Sequence, residues 1–151
     1  LITLALVGLV SMMTLPLYEM SATRAKEAEL RQALRTIRAG LDAYKAATDA
    51  GTLAREVGAS GYPPSLATLT EPLDMQGKRE LSDSLAAQRL VILRRLPRDP
   101  FNTDPELTAA ETWNTRAYAS TVDDPQSGDD VFDISSRSER RALDGTPYAS
   151  W

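Results

Sequence analysis

A chain of 151 residues, 42% hydrophobic and 25% charged, suits one ordinary core with an appendage, and two independent domains would be crowded. A formal net charge of −4, with basic residues spread along the chain, excludes the electrostatic footprint that nucleic acid requires. With no cysteine and no histidine, disulfides, thiolate zinc sites, thiol nucleophiles and histidine-based general bases are all absent, so most hydrolase constellations cannot be built.

Residues Leu1 to Tyr18 carry no charge, and Leu, Ile, Val and Met dominate on every side, the pattern of a helix bathed in lipid. The run falls just short of the about 20 apolar residues that a bilayer span takes, so further residues are expected upstream. A secretory signal peptide is the alternative, but its apolar region is shorter and a cleavage site should follow. Instead there is no Gly or Pro from Met20 until Gly40, and Leu30, Leu34, Ile37, Leu41 and Tyr44 form one helical stripe. Arg24, Lys26, Glu27, Glu29, Arg31, Arg35 and Arg38 are expected mainly on the other faces, in water. The same helix therefore meets two solvents along one axis. Pro16 removes a backbone donor and should loosen the helix near Met12 and Met13, at a cost of roughly 3 kcal/mol in an ordinary helix interior.

Three glycines and the Pro63-Pro64 pair between Gly51 and Pro64 predict that the helix ends near Asp49 and a loop follows. Ser65 is placed to cap a short helix through Leu66 and Leu69, and Pro72 to Ser84 reads as polar loop. The apolar run from Leu90 to Leu96 fits helix or strand, with Leu90 to Leu93 taken as an approach to a sheet. Thr112 to Thr121 alternates as a strand, and Val131 to Ser135 makes its antiparallel partner. Trp113, Tyr118, Phe132, Tyr148 and Trp151 are expected to close the core. Asp123, Asp124, Asp129, Asp130 and Asp133 suit either a calcium site or a solvated turn. Lys26, Lys45 and Lys78 stand on a helix face or in a loop, away from any serine motif, and no glycine-rich phosphate cradle occurs, so catalysis is not expected.

The run LITLALVGLVSMMTLP, followed by a charged, alanine-rich helix ending in GLDAYKAA, resembles the type IV pilin and type II secretion pseudopilin superfamily. YPPSLATL at Tyr62 to Leu69 is similar to that family's tyrosine-proline segment, and LRRLPRDPF at Leu93 to Phe101 to its Leu-Pro-x-Asp-Pro motif. DDVFDISS at Asp129 to Ser136 and the final GTPYASW resemble the ending of the major, G-type pseudopilin. The resemblance implies an α+β fold: a long amino-terminal helix, with a membrane half at 1–18 and an amphipathic half at 19–49, packed on a small antiparallel sheet within a periplasmic head at 50–151. It implies cleavage by a prepilin peptidase before a methylated residue, and alignment on Pro16 leaves roughly six residues upstream of Leu1, in keeping with the shortfall in span. It further implies a bacterial inner-membrane subunit that assembles with its own copies and with minor pseudopilins, on an assembly platform, into a filament that drives protein secretion. Leu4, Val7, Val10, Met13 and Pro16 in the apolar run, with Glu19 and Arg24 beyond it, are the residues expected to carry assembly. Major pseudopilins often hold calcium in the loop after the segment resembling FDISS. Here that loop reads RSERRALDG, with Arg137, Arg140 and Arg141 against only Glu139 and Asp144, so no cofactor is expected and an ion-paired or packed loop takes the place of calcium. The alternatives are a minor pilin of a type IV or DNA-uptake pilus, and a membrane-tethered periplasmic binding module. A tether would be better served by a flexible linker, and there is none between Leu17 and Gly40.

Overall fold

The computed structural model describes residues 2–76 and 89–151. One helix, α1 (Ile2–Asp49), precedes two short antiparallel ladders: β1 (Leu73–Asp74) with β2 (Arg89–Leu90), and β3 (Trp113–Arg116) with β4 (Asp133–Ser136). The architecture is an α+β arrangement of a long amino-terminal helix with small antiparallel sheets.

Strong helix formers fill α1 beyond Leu17, and the helix runs unbroken through Pro16. Its end is set by Gly51, which takes a left-handed backbone, φ 72°. The Gly51 N–H donates to the Thr48 carbonyl at 3.0 Å and the Thr52 N–H to that of Ala47 at 2.9 Å, the paired bonds of a Schellman cap.

The predicted stripe is the floor of the core. Leu30, Leu34, Ile37 and Leu41 are buried with Ala33 between them, and Tyr44 is half-buried. Ile134, Trp113, Val131, Leu66, Leu69, Leu96, Ala142 and Tyr148 cover the stripe from above. Gly40 lets the chain lie close: a Cβ there would stand 3.1 Å from the Leu93 side chain, and the Leu93 N–H is itself tied to the Leu69 carbonyl at 2.8 Å. Ser65 accepts a weak bond from the Thr68 N–H at 3.4 Å, and the short helix that follows is a 3-10 turn, Ala67–Thr70.

In the main ladder Trp113 faces Ser136 and Thr115 faces Ile134. The ladder stops earlier than its alternating sequence suggests. After Arg116 the Ala117 N–H turns to the Gln126 carbonyl and the Tyr118 N–H to the Asp130 carboxylate, so the expected strand does not reach Thr121. Leu90 does lead into a strand, but one that pairs with Leu73 in a separate two-residue ladder. The segment expected as loop from Pro72 thus begins with β1, and its part from 77 to 84 lies outside the described residues.

The Leu-Pro-x-Asp-Pro motif proves to be structural. Asp99 is 1% exposed; one carboxylate oxygen accepts the Phe101 N–H at 2.8 Å and the other the Ser136 hydroxyl at 2.5 Å. A buried carboxylate therefore ties the 97–101 turn to β4, and each of its oxygens has a hydrogen-bond partner.

Candidate assembly surface

The core begins at Glu27 and Leu30. Before it, all the described side chains of α1 stand in the open except Thr23, which is half-buried. At 1.5 Å per residue this bare stretch is roughly 35 Å long. Leu4 is 74% exposed and Val7 64%, and Ile2, Leu6, Leu9, Leu17 and Tyr18 are similarly bare. At 100° per residue, Ile2 and Leu9 project to one side and Leu4 and Val7 to the other, so the apolar surface wraps the axis. Exposed apolar side chains on both sides of the described residues from Ile2 to Tyr18 mark a place where lipid or protein belongs. Glu19 and Arg24 are exposed at its charged end. The side chains of Val10, Met13 and Pro16 lie outside the described residues. Among the described residues no helix is long and apolar enough to cross a membrane.

Two charged residues of the helix depart from the expected solvent face, and both join it to the head. Glu27 is 6% exposed, and its Oε1 accepts the Leu143 N–H at 2.8 Å and the Tyr148 hydroxyl at 3.0 Å. Arg38 donates to Asp133 Oδ1 at 2.8 Å, to the Ile134 carbonyl at 3.1 Å and to the Trp151 carbonyl at 2.8 Å. Around them Tyr148 stacks on Phe101 at 4.2 Å and meets Trp151 edge-on, while the Arg31 guanidinium lies 4.0 Å over the Trp151 ring. Helix register is thereby locked to the carboxyl-terminal segment.

Burial first, then the hydrogen bond to Glu27 and the charge of that carboxylate, push the Tyr148 hydroxyl from 10.0 up to about 12. Between those values the folded chain keeps a proton that the unfolded chain has released. The contribution of this group is therefore complete below pH 10 and is lost as pH rises through 12. Thermal unfolding followed against pH should show stability falling in that window, with a shallower fall in Tyr148→Phe.

The loop from Arg137 to Thr146 is closed by its own side chains and by Glu27. Arg137 donates to the Glu111 carbonyl at 2.7 Å, Arg141 to the Gly145 carbonyl at 2.9 Å, and Asp144 accepts the N–H and hydroxyl of Thr146. Those two Thr146 bonds, the hydroxyl's first, hold the Asp144 carboxyl below its ordinary range, and Thr108 does the same for Glu111. Of the acidic residues weighed for calcium, Asp133 pairs with Arg38 and with Arg116, the latter at 3.6 Å. Asp130 accepts the Ser60 hydroxyl and, at 2.9 Å, the Tyr118 N–H. Among the described residues no group of three or more acidic side chains is arranged to hold a metal ion.

A cleft of about 1290 Å³ opens beyond the carboxyl-terminal part of α1. Tyr62 and Tyr118 line it, their rings stacked at 5.8 Å, and both meet Phe132 edge-on. Tyr118 is 58% exposed, so it belongs to the cleft wall rather than to the closed core expected for it. Trp113 and Tyr148 are buried as expected, while Phe132 and Trp151 are half-buried. Glu56, Asp124, Asp129 and Asp130 also line the cleft.

Comparison with protein-family models, with curated proteins and with solved structures gives no match to this chain.

Proposed function

We propose that this chain is a structural, pseudopilin-like subunit that assembles into a helical filament serving type II protein secretion. The observation that carries the reading is the division of α1: from Glu27 onward it is the floor of a packed head, and before Glu27 its described side chains stand clear of that head, apolar as far as Tyr18 and charged from Glu19. A binding module on a tether needs a flexible connection, whereas here the rod and the head share one continuous helix.

In this reading residues 1–18 help to hold the monomer in the inner membrane with the head in the periplasm, and the assembly platform then feeds it into the filament. Leu4, Val7, Val10 and Met13 exchange lipid for the rods of neighbouring copies. Both surroundings are apolar, so the free-energy change stays small and assembly can be reversed. Glu19 and Arg24 lie where the rod leaves the apolar layer, and exposed pairs there contribute only about 0 to 1 kcal/mol each, enough to set register rather than affinity. Anchoring by this segment is part of the proposal.

The class is tested by the mass and amino-terminal sequence of the mature protein from cells with and without the prepilin peptidase. A methylated terminus that appears only with the peptidase is expected. A terminus unchanged by the peptidase would contradict it. Pro16→Ala restores the backbone donor that proline lacks. It should alter filament yield while leaving the thermal unfolding of the head unchanged, since the packed core starts beyond it. Unchanged yield would remove the mechanical role given to Pro16.

A further inference from the structure

The cleft and one exposed segment of the same chain are complementary in charge and in character. Of the charged residues lining the cleft, Glu56, Asp124, Asp129 and Asp130 are acidic and only Arg55 is basic. Arg55 donates to the Ala59 carbonyl on the cleft wall at 2.9 Å and approaches Asp49 at 3.6 Å, so four carboxylates of the lining stand against one guanidinium that is already engaged. The walls add aromatic surface from Tyr62 and Tyr118, and Tyr118 is largely bare.

Residues 89–98 hold four arginines and no acid. Arg89 pairs with Asp74 across the small ladder at 3.4 Å, and Arg98 is spent on the Leu107 and Asp104 carbonyls. Arg94 and Arg95 are exposed and have no partner among the described residues, and Val91, three positions before Arg94, is 47% exposed, while Ile92 and Leu93 between them pack on the core. A short segment with an exposed apolar residue and two unpartnered guanidinium groups suits an acidic cleft walled by tyrosine, because arginine both pairs with carboxylates and stacks on aromatic faces.

We propose that the Tyr62–Tyr118 cleft of one copy receives the Val91–Arg95 segment of the next copy. The inference rests on the filament reading and specifies where the heads touch. The two surfaces differ, so the contact is heterologous: each copy offers a cleft in one direction and a segment in the other. Such a contact propagates as an open helix or closes as a ring, whereas a self-complementary contact would stop at a dimer.

The chain has no cysteine, so engineered cysteines report only the contacts for which they are placed. Full-length chains carrying Val91→Cys or Ser127→Cys, the latter on the cleft wall, are co-expressed with the secretion assembly machinery and treated with a short bis-maleimide. Val7→Cys serves as a separate probe for rod-to-rod contact. The expected result is a cross-link between the Val91→Cys and Ser127→Cys chains, and a ladder of oligomers when one chain carries both. Adding Asp124→Lys with Asp129→Lys should lower the yield about tenfold, and adding Arg94→Glu with Arg95→Glu to the opposite partner should restore it. The unreversed contact should also weaken with salt, as the Debye length shortens from about 10 Å at 0.1 M to about 3 Å at 1 M. Cross-linking through Val7→Cys without any between the cleft and the segment would overturn this contact and leave the filament reading standing. Absence of both would overturn the filament reading, and this contact with it.

Discussion

Val7→Asp should abolish filament formation and leave the head as stable as before. Val7 is 64% exposed on the bare rod, ahead of the first buried residue of α1, so its loss removes nothing from the core. A substitution at such a site shifts folding stability by no more than about 0.5 kcal/mol. In lipid, or among the rods of neighbouring copies, the same carboxylate has no partner. The cost of a central Asp in a membrane helix is about 2.5 to 3.5 kcal/mol, and in a filament it recurs in every subunit. Thermal unfolding and filament yield, measured on the same preparation, separate the two effects. Normal yield would mean that the rod is not buried in the assembled state.

The second large effect concerns stability. Glu27→Ala should destabilise the head by about 3 kcal/mol, because it removes one acceptor and orphans two donors, the Leu143 N–H and the Tyr148 hydroxyl. The Tyr148 side chain is fully buried, so water cannot readily replace the lost carboxylate. Arg31 approaches Glu27 at only 4.0 Å and is half-exposed, and it adds little. Tyr148→Phe should cost less, about 1 kcal/mol, since donor and ring shape are separated. The two changes together should cost less than their sum, because each removes the same bond. Denaturant unfolding of the four chains in this cycle gives the coupling. Strict additivity would mean that the bond contributes nothing. A loss of about 3 kcal/mol is a large share of the 5 to 15 kcal/mol that holds an ordinary domain together.

The parts of the fold that were legible in the sequence are those set by local periodicity. Leu30, Leu34, Ile37, Leu41 and Tyr44 repeat with the helical period, and Gly51 with its neighbours announces the end of α1; both are where the pattern puts them. The β3–β4 pairing was legible from alternation and the turn between the strands. What was not legible depends on partners far away in the chain. Glu27 looks like any other charge in AKEAELRQ, and nothing nearby shows that Leu143 and Tyr148, 116 and 121 positions on, will enclose it. Nor does anything near Arg38 show that it will bond Asp133, 95 positions on. An aromatic residue at Tyr118 reads as core, but its N–H is drawn to Asp130 and the chain leaves the ladder there. The β1–β2 pair is only two residues a side, too short for any alternation to register. Of the residues expected to carry assembly, Leu4, Val7, Glu19 and Arg24 do stand exposed, a placement that follows from the absence of any stripe before Leu30. The cleft is not legible in the sequence, since it is assembled from the end of α1 and two loops that lie far apart in the chain.

The most direct measurement is electron microscopy of the sheared fraction from cells that express the full chain together with a type II secretion assembly platform, using an antibody against the head. Thin filaments decorated along their length, and missing when the platform is deleted, are the predicted result. A chain that stays as dispersed subunits while the platform polymerises its own major subunit would contradict the account.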